Sequence, residues 1–339
     1  MDNAIDVNMT GVNASDRQGF SVASAGDVNG DGYDDVIVGA NGNDGNGVGS
    51  GAAFVYFGGA SMDNAIDINL TGVAASDQQG VSVAPAGDVN GDGYDDVIVG
   101  ANLNDGNGAS SGAAFVYFGG ASMDNAIDVN LTGVAAGDQQ GISVAPAGDV
   151  NGDGYDDVIV NGDGYDDVIV GSNLNYGNGA ESGAAFVYFG GASMNNGIDV
   201  NLTGVLTGDN QGVSVASAGD VNGDGYDDVI VGANFNDGNG ASSGAAFVYF
   251  GGASMDNAID VNMTGVAAND QQGISVAPAG DVNGDGYDDV IVGANGNDGN
   301  GGGSGAGFVY LGYGLRWGSV FAQEANLQKG LEIGELKMD

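Results

Sequence analysis

The stretch Asp27-Val28-Asn29-Gly30-Asp31-Gly32-Tyr33-Asp34-Asp35, running straight into Val36-Ile37-Val38-Gly39-Ala40, decides how this chain is read. Side-chain oxygens stand at its first, third, fifth and ninth positions, and Tyr33 at the seventh can offer a backbone carbonyl. Calcium takes six to eight oxygens at about 2.3–2.6 Å, and a tight loop with an oxygen on every second residue supplies them. Gly30 and Gly32 permit the positive φ angles that such a wrap needs. In isolation the stretch reads equally well as an Asp/Asn/Gly surface turn. It recurs, however, at 88–96, 149–157, 220–228 and 281–289. Five copies in one register, each feeding a Val-Ile-Val strand, point to calcium. The loop is not an EF-hand, because its twelfth position is Val38 rather than a bidentate Glu and a strand follows where a helix should begin.

About five calcium ions are therefore expected. The candidate ligands are Asp27, Asn29, Asp31, Tyr33 and Asp35, then Asp88, Asn90, Asp92, Tyr94 and Asp96. The later sets are Asp149, Asn151, Asp153, Tyr155 and Asp157; Asp220, Asn222, Asp224, Tyr226 and Asp228; and Asp281, Asn283, Asp285, Tyr287 and Asp289.

The loop is one part of a longer repeat. Met-Asp-Asn-Ala-Ile-Asp opens units at Met1, Met62, Met123 and Met255, with Met-Asn-Asn-Gly-Ile-Asp at Met194, at intervals of 61, 61, 71 and 61 residues. The long interval contains 161–170, a verbatim second copy of 151–160. Its loop has Asn161, Asp163, Tyr165 and Asp167, but Ile159 takes the first position, so a weak or empty site is expected there. Ten extra residues preserve strand alternation, so one copy must bulge out.

Each unit holds four strand-like runs. Ile5, Val7 and Met9 alternate with Asp6 and Asn8, the pattern of a strand with one wet face. Phe20 and Val22 alternate with small residues, whereas 36–38 and 53–57 are apolar on both faces, as buried strands are. Helical periodicity is absent until the tail, so the chain is all-β. A four-stranded antiparallel unit does not cover both faces of its own sheet; packing such sheets around an axis does. The expected fold is a β-propeller of five four-stranded antiparallel blades over 1–314. A polar run such as 4–10 suits the outermost strand, so a blade starts near Phe20 and ends in the next unit near Asn69. The last blade, from Ile274 to Leu311, then lacks its outer strand, and the run 4–10 is the spare that would close the ring by strand exchange between the termini. Beyond it, 315–339 carries the only Trp (Trp317) and three of the four basic residues, and reads as a docking element or a frayed end.

Composition limits function. The 339 residues carry a net charge of −42, because only Arg17, Arg316, Lys329 and Lys337 are basic. Nucleic acid and anionic membrane surfaces would repel such a chain, and no stretch approaches the length needed for membrane insertion. There is no histidine and no cysteine, which removes disulfides, thiolate nucleophiles and the usual acid–base pairings. The carboxylates that could mimic a glycosidase pair belong almost entirely to repeated loops, and a catalytic pair should be unique. The chain is accordingly read as not an enzyme. Weak loop sites for calcium suit an extracellular or cell-surface location, and Met1 opens a repeat unit, as a start after processing or in mid-chain would give.

Read together, Gln18-Gly19-Phe20-Ser21-Val22-Ala23 and the stretch from Gly26 to Ala40 resemble the FG-GAP repeat, the blade of the integrin α-subunit head and of many bacterial surface proteins. The resemblance covers all units. It implies that the Asp/Asn loop joins the first two strands of a blade and binds calcium through the residues named above. Gly19-Phe20 reverses the family's Phe-Gly order, Asn41 stands where Pro is common, and the better-known members close with seven blades rather than five. The function implied is an extracellular, calcium-stabilised, non-catalytic binding or adhesion module. Its protein or glycan ligand would lie at a rim built from 41–50, 102–111, 173–182, 234–243 and 295–304. The alternative is a structural subunit that assembles with copies of itself in a fibre by strand exchange.

Overall fold

The computed structural model describes residues 5–152, 165–299 and 301–314. The described residues hold strands and no helix. β-Branched and aromatic residues are concentrated in the two middle strands of each sheet, and Gly/Asn/Asp clusters divide the strands. The first sheet is β1 (Ser21–Gly26), β2 (Asp35–Gly39), β3 (Ala52–Tyr56) and β4 (Ile68–Thr71), antiparallel in that order. The second repeats it with β5 (Ser82–Gly87), β6 (Asp96–Ala101), β7 (Ala113–Tyr117) and β8 (Val129–Thr132). The third holds β9 (Ser143–Gly148), β10 (Asp167–Ser172), β11 (Ala184–Tyr188) and β12 (Val200–Thr203). The fourth holds β13 (Ser214–Gly219), β14 (Asp228–Ala233), β15 (Ala245–Tyr249) and β16 (Val261–Thr264). The fifth has three strands, β17 (Gln272–Gly280), β18 (Asp289–Ala294) and β19 (Ala306–Tyr310).

Each four-stranded sheet thus begins just after Phe20 or its equivalent and borrows its last strand from the following unit, as the repeat phase requires. In the first sheet Ile37 faces Ala23 on one side and Val55 on the other, and both middle strands are buried. Successive sheets stack with their first strands adjacent, β1 against β5, β5 against β9, β9 against β13 and β13 against β17. Sheets that meet most closely along one edge are wedges, so the architecture is propeller-like. Apolar seams lie between them: Val28, Ile37, Val55 and Leu70 of the first sheet pack with Val97, Val99, Phe115 and Tyr117 of the second.

Among the described residues the series does not close on itself. Val22 of β1 is 66% exposed where its equivalent Val83 is 8% exposed, and at the other end Val309 is 50% exposed where Val116 is fully buried. The run expected to complete the fifth sheet forms no strand over 5–10, and β19 remains the sheet's edge. The run instead lies in front of the first sheet, where Gln18 Nε2 donates to the Met9 carbonyl at 3.3 Å and Asn64 Nδ2 to that of Asn8 at 3.1 Å. Its strand-like alternation has no sheet edge to pair with there, and a strand does not stand alone. The tail 315–339 lies outside the described residues.

Candidate calcium loops

The Asp/Asn loops join the first and second strands of each sheet, all at one rim. In the first, Asp27 Oδ1 accepts the N–H of Asp31 at 3.0 Å and its Oδ2 that of Gly32 at 2.8 Å. Asn29 Oδ1 accepts from Asp31 N–H at 2.8 Å, and Asp31 Oδ1 from Tyr33 N–H at 3.0 Å. Asp35 opens β2 and turns back to accept from Val28 N–H at 3.0 Å and Gly58 N–H at 2.7 Å. The backbone is therefore wound around the first carboxylate and tied at both ends by the ninth. The second loop repeats this: Asp88 accepts from Gly91, Asp92 and Gly93, Asp92 from Tyr94, and Asp96 from Val89 and Gly119. Asp220, Asp224 and Asp228 do the same in the fourth loop, and Asp281, Asn283, Asp285 and Asp289 in the fifth.

The third loop differs because of its tandem decapeptide. Asp149 accepts from Gly152 N–H at 2.7 Å, as a first-position carboxylate should. The ninth place is filled by Asp167, which accepts from Val150 N–H at 3.2 Å and from Gly190 N–H at 2.8 Å. The second copy therefore starts β10, and Asn151 and Gly152 of the first stand at the entry of the loop. Asp153, Tyr155 and Asp157 lie outside the described residues.

Burial acts strongly on two of the ninth-position carboxylates. Burial pushes the Asp96 carboxyl up to about 8, with Asp88 and Asp92 adding to the rise against the N–H groups that oppose it. Asp228 is likewise pushed up to about 8 by burial. Asp35, less enclosed at the end of the series, moves in the same direction for the same cause. Asp281 moves the other way, held down first by the N–H of Gly286. Among the described residues no three carboxylates stand close enough together to hold a metal ion by themselves. The donor set read from the sequence adds an Asn oxygen and a main-chain carbonyl to three carboxylates, and this hard-oxygen chemistry suits calcium.

Two functional positions escape a reading made for metal ligands alone. The eighth-position Asp crosses to the preceding sheet: Asp95 Oδ2 accepts from Asp27 N–H at 2.7 Å, and Asp166, Asp227 and Asp288 repeat the bond to Asp88, Asp149 and Asp220. The Asp95 carboxylate occupies the space that a Cβ on Gly26 would take, so Gly26 serves both a left-handed φ of 71° and this close approach. Gln79 Nε2 likewise bridges sheets, from the Leu70 carbonyl to Tyr117 Oη, and Gln140, Gln211 and Gln272 repeat it. Their fivefold recurrence was the available signal.

At the opposite rim, the polar side chains of 41–50 are engaged both within their loop and with the neighbouring segments at 16 and 72–73. Asn43 Oδ1 accepts from Gly45 N–H, Asp44 Oδ1 from Gly49 N–H, and Asn46 Nδ2 donates to the carbonyls of Gly72 and Val73.

Fold and loop together define a class, that of antiparallel four-stranded blades each carrying an acidic Asp/Asn hairpin. Residues 19–56, 80–117, 212–249 and 273–311 match the FG-GAP repeat, so the chain carries four FG-GAP repeats. It is 32% identical over 233 residues to integrin alpha-5 of Xenopus laevis, 63% of this chain and 20% of that protein. It is 30% identical over 232 residues to integrin alpha-V of Gallus gallus, again 63% and 20%. With integrin alpha-6 of Homo sapiens it shares 36% over 146 residues, 42% of this chain and 12% of that one. The chain spans a fifth or less of the length of these relatives.

Proposed function

We propose that this chain is an extracellular, non-catalytic adhesion module, stiffened by about five calcium ions and presenting one rim of its blades to a protein ligand. The observation that carries it is the repeated loop, in which carboxylates at the first and ninth positions hold one backbone wrap. Three of the chain's four basic residues lie in 315–339 and the fourth is Arg17, so the described loops hold no Lys or Arg to balance that charge. In each loop the first, third, fifth and ninth side chains and the seventh carbonyl would hold the ion, which would neutralise the crowded carboxylates and fix the hairpin. Similarity to integrin α-subunits supports adhesion and a protein ligand. A glycan ligand is the weaker choice, because polar groups of 41–50 are already engaged within the loop and with adjacent segments of the chain. Beads coated with the protein should adhere to a panel of extracellular protein coatings in calcium and release on chelation. Adhesion indifferent to chelation would contradict the proposal.

A second reading is favoured by the ends of the series: a three-stranded fifth sheet and a run at 5–10 parked without a sheet partner. Pairing of that run with β19 of another copy would propagate, as heterologous contacts do. Size-exclusion profiles with and without residues 1–11 test it, since a monomer unchanged by the deletion removes the fibre reading.

A further inference from the structure

The seams between successive sheets are plugged in a common way. Met255 and Ile259, on the connection leaving β15, pack into the seam between the third and fourth sheets. Met194 does so between the second and third, and Met123 between the first and second. Each connection starts from the same backbone bond: the N–H of Gly120, Gly191 and Gly252 donates to the carbonyl of Val28, Val89 and Val150 in the preceding sheet. The Met follows three residues later. In the fourth seam the Tyr313 N–H donates to the Val221 carbonyl at 2.9 Å, so the chain leaves β19 along the same line. Here the described chain ends at Gly314, and an apolar cavity of about 50 Å³ lies between Val248, Phe250 and Met263 on one side and Val290, Tyr310 and Leu311 on the other. One water needs only about 10–15 Å³, and the apolar walls offer water few partners.

We propose that the chain's own segment 315–321 plugs this fourth seam, with Trp317 as its anchor and Leu315 beside it. The inference does not depend on calcium or on the adhesion reading. Repeat register puts Arg316 where the other seams have Met, and a guanidinium is a poor plug for an apolar cavity. Its two neighbours are apolar and within the same reach of Tyr313. Charge favours the segment's return, because the tail holds Arg316, Lys329 and Lys337 in a chain whose net charge is −42.

Trp317 is the sole tryptophan, so emission from the full-length protein reports on this residue alone. The folded protein should emit to the blue of the denatured chain and resist acrylamide quenching, at the same value over a wide dilution range. Leu311→Asp, at a wall position that is 55% exposed, should shift the emission to the red and restore quenching. Phe235→Asp, exposed near the opposite rim, should leave both unchanged. A photo-crosslinker in place of Trp317 should capture peptides containing Phe250 or Met263, a readout that holds even where Leu311→Asp does not fold. Emission typical of exposed tryptophan, or crosslinks elsewhere, would overturn the proposal. So would a blue shift lost on dilution together with an oligomer, which would place the plug in a neighbouring molecule.

Discussion

β6 and β18 have the same sequence, Asp-Val-Ile-Val-Gly-Ala, and different surroundings. Ile98 in β6 is fully buried, whereas Ile291 in β18 is 39% exposed. Gly87 beside β6 is filled against by Asp166 of the next sheet, while a Cβ on Gly280 beside β18 would meet nothing. Burial in this protein is conferred by the next sheet rather than by a strand's own residues, so stability should behave as a sum of sheet and seam contributions. Every test below contrasts an inner sheet with an end one, or what is common to all sheets with what is not.

The largest effect should come from what the sheets share. Two charges 4 Å apart repel by about 4 kcal/mol at an effective dielectric of 20, and in the proposed coordination an ion would draw the first-, fifth- and ninth-position carboxylates of a loop together. Chelation should lower the melting temperature by more than about 10 °C, since each kcal/mol is worth about 2–4 °C at this size. A change of a few degrees would mean that the loops hold themselves without an ion.

Next comes the seam core. Ile98→Ala should cost about 2–4 kcal/mol and Ile291→Ala under about 1 kcal/mol, because only the first leaves a closed cavity. Denaturant midpoints would show the difference, and equal losses would mean that a further element covers the fifth sheet in solution.

A smaller contrast concerns the bridging carboxylate. Asp95→Ala leaves the half-buried Asp27 N–H without its acceptor and should cost about 1–2 kcal/mol. Asp34→Ala, at the same position in the first sheet with no sheet before it, should stay within about 0.5 kcal/mol.

The sheet phase was legible because the polar run 62–71 and the small-residue run 21–25 cannot exchange places: one tolerates solvent, the other fits where wedges meet. The places of the first, fifth and ninth residues in the hairpin were legible in four loops because spacing sets which side chains accept from the wrapped backbone, while their role as calcium ligands is the proposal. In the third loop, two identical decapeptides compete for one strand, and only the pairing of β10 with its neighbours shows that Asp167 rather than Asp157 takes the ninth place. Likewise the alternation of Ile5, Val7 and Met9 was real, but a strand also needs an edge. The roles of Asp95 and Gln79 depend on the adjacent sheet, which a local reading does not contain.

The smallest effect is one of pH. Asp138 is buried, accepts from Ala135 N–H and Asn175 Nδ2, and leaves its Oδ1 without a partner. Burial raises its pKa in the folded protein above that of the unfolded chain. The folded state then binds the proton more tightly, so this group's contribution is full below the unfolded pKa and is lost as pH rises through the folded one. Asp138→Asn should flatten the melting temperature against pH over that acidic window, and an unchanged slope would assign the dependence to other groups.

The central claim is that calcium clamps the repeated hairpins and through them the sheets. Equilibrium dialysis of the intact protein against calcium tests it most directly, with Asp96→Ala alongside. The account requires saturable binding of about five ions per chain, reduced by about one in the variant. Binding that never saturates, or a stoichiometry that Asp96→Ala leaves untouched, would contradict it.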